Sequence, residues 1–234
     1  MWKMTDFRHI VVVRLAMKKL FVRRGVSWDE WVKRSIELYD TFLRPSLKRQ
    51  TNQNFTILSL ANEHLSSIGD MLDNEIWIKT GKGHGLIQSI NEQFVSNEKN
   101  LLITRIDRDD AVSEDFIEIV QERAKNDIAQ GITSKYYDIC DVYKYDTETG
   151  DVMIDDRYNT MCSPFVTVLE RPSKEEKIRC QPYSTPHTKI PTFVDGEKIK
   201  ELKALQVIHG GNVLNKMKGV LIETDKDFLK RFIG

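Results

Sequence analysis

Apolar residues along the chain alternate between two spacings, and the alternation predicts the order of elements. HIVVVRLA (His9 to Ala16) is a β-branched run interrupted only by Arg14, as expected of a central strand ending near a polar site. Ser27 with Glu30 three residues later forms a capping box, and Trp28, Val32, Ser35, Leu38, Tyr39 and Phe42 recur at helical spacing as far as Pro45. QTNQNF supplies a turn into a second strand, FTILSLA (Phe55 to Ala61). EIWIKT predicts a third strand, and GKGHG opens a helix with Leu86, Ile87, Ile90 and Phe94 on one face. LLITRID, from Leu101, is the fourth strand, and Ser113 is the expected cap of a helix lined by Phe116, Ile117, Val120, Ala124 and Ile128. To residue 130 this is the strand and helix alternation of a mostly parallel, helix-covered α/β sheet.

The second half changes character. YYDICDVYKYDTETGDVMIDD predicts a hairpin around DTETGD, and SPFVTVLE (Ser163 to Glu170) a further strand. ALQVIHGGN gives a last short strand, Leu205 to Ile208, broken by His209 and two glycines. Residues 171–191 carry four of the six prolines and predict a loop that closes like a lid and includes His187. The expected organisation is a single domain over 1–234, with a ligand-binding half to residue 130 and a smaller α+β half from 131.

Composition narrows the classes of function. The chain has 234 residues with 35 basic and 35 acidic side chains, and this balance argues against a nucleic-acid binder working by bulk charge. Cys140, Cys162 and Cys180 show no ligand spacing and suggest reduced thiols in a cytoplasmic setting. No apolar run has membrane-spanning length, and MWKMTDFRH has no segment resembling a secretory leader.

The candidate chemistry sits after the fourth strand, where TRIDRDDAVSEDF places Asp107, Asp109 and Asp110 within four residues. In an open α/β sheet, ligands bind beyond the carboxyl ends of the strands. Carboxylates there can share a cavity, and a divalent cation bridging them to a diphosphate relieves their repulsion. The plainer alternative is a solvated acidic turn with helix-dipole partners. An EF-hand loop from Asp107 is excluded, since Ala111 and Val112 fall where an oxygen ligand and glycine are required. An aspartate-nucleophile phosphatase would carry its Asp-x-Asp on the first strand, and three predicted strands precede this one. LQVIHGGN puts His209 at a strand end beside flexible backbone and Asn212, where the imidazole can complete a metal site. Arg14 and Arg105 lie near strand ends where guanidinium groups can hold phosphate.

QTNQNF, TRIDRDDAVSEDF, SPFVTVLE and LQVIHGGNV together resemble the rhamnosyltransferase family of bacteria and viruses, glycosyltransferases of the GT-A fold. The resemblance implies transfer of a sugar from a nucleotide-sugar donor to a glycan or other hydroxyl acceptor, with inversion. It implies Mn²⁺ or Mg²⁺ on Asp107, Asp109 and His209, with Asp109 the foremost ligand. Donor contacts would come from Arg14, Arg105, Asp107 and Asn212, and catalytic carboxylates from Glu170 and Asp110. A catalytically silent sugar-nucleotide- or glycan-binding protein of the same fold is the competing reading.

Overall fold

The computed structural model of the chain describes residues 7–17, 25–61, 72–79, 100–172, 186–210, 216–224 and 227–234. Four strands follow the expected order: β1 (Arg8–Ala16), β2 (Thr56–Ala61), β3 (Glu75–Lys79) and β4 (Leu101–Ile106). They pair in parallel in the order β3-β2-β1-β4. Ile10, Val11, Val12 and Val13 are completely buried, which accounts for the unbroken apolar run in β1: both faces of the sheet are covered. From β1 the chain winds first toward β3 and then returns to add β4 on the other side. The crevice between the carboxyl ends of β1 and β4 is therefore the topological switch point.

Between β1 and β2, α1 (Trp28–Leu38) is capped as its sequence indicates, the Glu30 N–H donating to Ser27 Oγ at 3.2 Å. The helical path does not end at Pro45. A π turn (Tyr39–Leu43) leads into α2 (Arg44–Lys48), with Pro45 in its first turn. The wider turn accommodates a residue that lacks an N–H and would crowd the preceding carbonyl. The predicted helix over Leu86 to Phe94 lies outside the described residues.

After β4 comes a two-residue strand that the sequence pattern did not reveal, β5 (Ala111–Val112). It leads into α3 (Phe116–Ala129), which buries Phe116, Ile117, Val120 and Ala124 on the expected face. Ser113 does not cap this helix. Asp115 occupies the cap position without a side-chain bond, and Ser113 contributes its backbone carbonyl to the Phe116 N–H.

The second half joins the same ten-stranded sheet. It supplies β6 (Ser134–Asp146), β7 (Asp151–Ile154), β8 (Thr167–Glu170), β9 (Gly196–Ile208) and β10 (Val220–Thr224), followed by a terminal turn of helix, α4 (Lys230–Ile233). β4 pairs with β8, β8 with β6 and β6 with β7, all antiparallel, so the sheet becomes mixed beyond β4. The expected last short strand is in fact thirteen residues long. β9 runs parallel to β6 from Gly196 to Ile208 and pairs with β5 through Ala111 and Leu205. Its charged first half, KIKELK, masks the strand because only Ile199 and Leu202 face the core there. Among the described residues, Cys140 and Cys162 are free, and no helix is long and apolar enough to cross a membrane.

Candidate active site

Val13 lies opposite Ile106 in the parallel register of β1 and β4. One residue further on each strand, Arg14 and Asp107 face each other across the switch point, and Arg14 Nη2 donates to Asp107 Oδ1 at 2.7 Å. Arg105 reaches the other carboxylate oxygen, Nη2 to Oδ2 at 3.4 Å. Burial would raise the pKa of Asp107. The guanidinium groups of Arg105, Arg14 and Arg108 more than offset it, holding the carboxyl down at about 2. Asp107 is therefore ionised and gripped from both sides.

The next residues form a tight turn, with the Asp110 N–H donating to the Asp107 carbonyl at 3.2 Å. Arg108 lies over the ring of Trp31 on α1, 4.9 Å from its centroid, so the first helix helps to fix the turn. Asp110 points inward, is 1% exposed, and accepts the Val207 N–H at 3.2 Å. Burial, then the charges of Asp109 and Asp107, push its carboxyl well above the usual range, against the opposing Val207 N–H and Arg105. Its place is structural: it fastens β9 to the turn.

Two residues beyond that anchor, β9 ends and His209 swings toward the turn. Its Nε2 lies 3.0 Å from Asp109 Oδ2, joining residues one hundred positions apart. Both side chains keep limited solvent access, 16% for His209 and 15% for Asp109. A carboxylate and an imidazole meeting at an accessible edge suit a divalent cation such as Mn²⁺, which takes oxygen and nitrogen ligands. Among the described residues no group of three His, Cys, Asp or Glu side chains converges to hold a metal. Asp109 and His209 thus could supply two ligands to a cation, leaving the rest of its shell to groups from outside this pair. Asp107 instead holds the two arginines.

Glu170 falls elsewhere. Because β8 runs antiparallel to β4, Glu170 pairs with Leu101 at the start of β4, whereas Thr167 pairs with Thr104. The whole length of β4, about 20 Å at ~3.3 Å per residue, separates that position from the aspartate turn. The opposite end of β8 approaches the site instead, since the Arg105 N–H donates to the Val166 carbonyl at 3.1 Å. Asn212 and most of the predicted lid lie outside the described residues, but His187 is placed and its Nδ1 sits 2.7 Å from the Cys162 carbonyl.

Nearby, Asp138 is completely buried. It accepts the Ser163 N–H at 3.0 and 3.1 Å and the Lys198 ammonium at 2.6 Å. Sequence reasoning did not find Asp138, Lys198 or Arg108. Asp138 and Lys198 sit within strands whose partners are long-range, and Arg108 is legible only as a neighbour of the aspartates.

A family model described as "Putative rhamnosyl transferase" matches residues 23–220. The chain belongs to this family of glycosyltransferases. Among curated proteins, none matches the chain. Solved structures similar to it include residues 1–349 of S. aureus TarS, at 14% identity and a TM-score of 0.31; the match covers 58% of this chain and 35% of that one. Another is the "putative nucleotide-diphospho-sugar transferase" of Desulfovibrio desulfuricans G20, at 10% identity and a TM-score of 0.37, covering 84% of this chain and 80% of that one.

Proposed function

We propose that this family member transfers a sugar, with rhamnose the first candidate from the family's description, from a nucleotide-diphosphate donor to a glycan or other hydroxyl acceptor, with inversion and dependence on Mn²⁺ or Mg²⁺. The observation that carries this reading is the Asp109–His209 pair beside the Arg14–Asp107–Arg105 cluster at the switch point.

Asp109 and His209 would hold the cation, which when bound neutralises charge on the departing diphosphate. Arg14 and Arg105 both reach Asp107 at the strand ends, where guanidinium groups can exchange carboxylate oxygens for those of a phosphate. Asp107 keeps both arginines oriented before the donor arrives, so little side-chain freedom is lost on binding. Asp110 anchors β9 and so aims His209 at the cation. The free thiols Cys140 and Cys162 suit a reducing, cytoplasmic setting for the reaction.

The test is a thermal-shift and calorimetric screen of uridine, guanosine and thymidine diphosphate sugars with and without Mn²⁺, repeated on Asp109→Ala. We expect one nucleotide class to raise Tm only when the metal is present, and the variant to lose the effect. Binding indifferent to both metal and substitution overturns the reading.

A further inference from the structure

Inverting transfer needs a group to receive the acceptor's proton, and Glu170 is at the wrong end of β4 to do so. Asp110 is buried and committed to Val207, and Asp138 is saturated by the Ser163 N–H and Lys198. His187 is built differently. It opens a short 3-10 helix, His187–Thr192, and its Nδ1 is 2.7 Å from the Cys162 carbonyl oxygen. A carbonyl only accepts, so Nδ1 carries the hydrogen and the lone pair resides on Nε2.

The segment that orients the ring also borders the end of β4 that carries Arg105. Ser163, next to Cys162, is held by Asp138, and Val166, three residues on, receives the Arg105 N–H at 3.1 Å. The imidazole is thus fixed to the stretch of chain that abuts the residue before Ile106 and Asp107. The groups that act on it are the Cys162 carbonyl, Arg105, Asp138 and Asp107. Burial lowers its basicity first and Arg105 adds to this. The Cys162 carbonyl and the two aspartates oppose them, and the net effect keeps the ring neutral at neutral pH.

We propose that His187 is the catalytic base of the transfer, its Nε2 taking the proton from the acceptor hydroxyl. This rests on the glycosyl-transfer reading above. As the O–H bond breaks, its electron pair stays on the acceptor oxygen, which forms the new bond to the anomeric carbon. The bond from that carbon to the diphosphate oxygen breaks, and its pair departs with the nucleoside diphosphate. The proton ends on Nε2, and the imidazolium is stabilised by the Cys162 carbonyl and by Asp138 and Asp107.

The experiment has two arms. Long-range ¹H–¹⁵N NMR of the full chain reads the tautomer directly: Nδ1–H with titration below the ordinary histidine value supports the proposal, and Nε2–H overturns it. In the second arm, His187→Asn retains an N–H toward Cys162 and lacks the Nε2 lone pair, with His187→Gln as the companion variant. Turnover is followed as release of nucleoside diphosphate from the nucleotide sugar selected by the binding screen, with Mn²⁺ and methyl glycosides as acceptors. Expected is a loss of kcat of ~100-fold or more, the usual reach of general-base catalysis, and disappearance of the acid limb of the pH profile. Affinity for the Mn²⁺–nucleoside diphosphate should stay within about twofold, since a group acting only on the acceptor's proton leaves donor binding alone. Unchanged kcat and an unchanged pH limb, with metal-dependent binding intact, overturn the role of His187 alone. Failure of the wild-type chain to bind any nucleotide sugar overturns the donor-site reading instead.

Discussion

His209 Nε2 stands 3.0 Å from Asp109 Oδ2, although one hundred residues separate the two in the chain. Two bonds from distant elements create this meeting. The Val207 N–H is held by Asp110, and Ala111 pairs with Leu205, so the end of β9 is fastened to the turn after β4. Replacing either member by alanine is expected to weaken Mn²⁺-dependent nucleotide-sugar binding at least tenfold, since even an outer partner of a metal site has that effect. Calorimetry with and without metal measures it, and a metal-independent Kd in both variants would contradict the pairing's role.

Arg14 is the main partner of Asp107. Arg14→Met is expected to destabilise the fold by ~1.5–3 kcal/mol, the contribution of a charged hydrogen bond, because only the longer contact from Arg105 remains. Asp107→Asn added to Arg14→Met should recover part of that loss. Urea denaturation of the single and double variants decides the point.

His9 gives the stability a pH dependence. It is 2% exposed, its Nδ1 accepts from Gln121 at 3.4 Å, and its Nε2–H donates to Thr104 Oγ1 at 2.7 Å. Burial lowers its folded pKa from 6.5 to about 3. Above pH 6.5 both states are neutral and the residue adds no pH dependence. As pH falls from 6.5 toward 3 the unfolded chain takes up a proton that the folded chain refuses, so stability declines by up to about 1.4 kcal/mol per pH unit. His9→Gln should flatten that portion of the curve measured by chemical denaturation between pH 7 and pH 4.

Lys144 and Asp155 form a buried ion pair at 2.7 Å, with side chains 3% and 1% exposed. Asp155→Asn would leave the Lys144 ammonium without its carboxylate, and the expected cost is about 3–5 kcal/mol. Lys144→Met should be milder than Asp155→Asn, because Asp155 keeps the guanidinium of Arg157, whose Nε donates to Oδ1 at 2.7 Å. Thermal and urea unfolding of the two variants separates these outcomes.

Much of the fold is legible in local pattern. Val11 to Val13 and Leu101 to Ile103 read as strands because both sheet faces bury them, and Ser27 reads as a cap because it needs only its own neighbours. β5 did not appear, since two residues carry no periodicity, and the first half of β9 was hidden because its buried Ile199 and Leu202 lie three apart among charged residues.

The sequence by itself determined which polar residues stand at the strand ends: Arg14, Arg105, the three aspartates and His209 all lie where local pattern ends a strand. Which of them meet was decided by tertiary structure. Parallel register put Arg14 on Asp107, the join of β5 to β9 put His209 on Asp109, and antiparallel pairing carried Glu170 to the far end of β4 while bringing the segment of Cys162, and with it His187, toward the end that carries Arg105. Strand direction and register come from pairing between distant segments, and the spacing of residues along one segment contains no record of it.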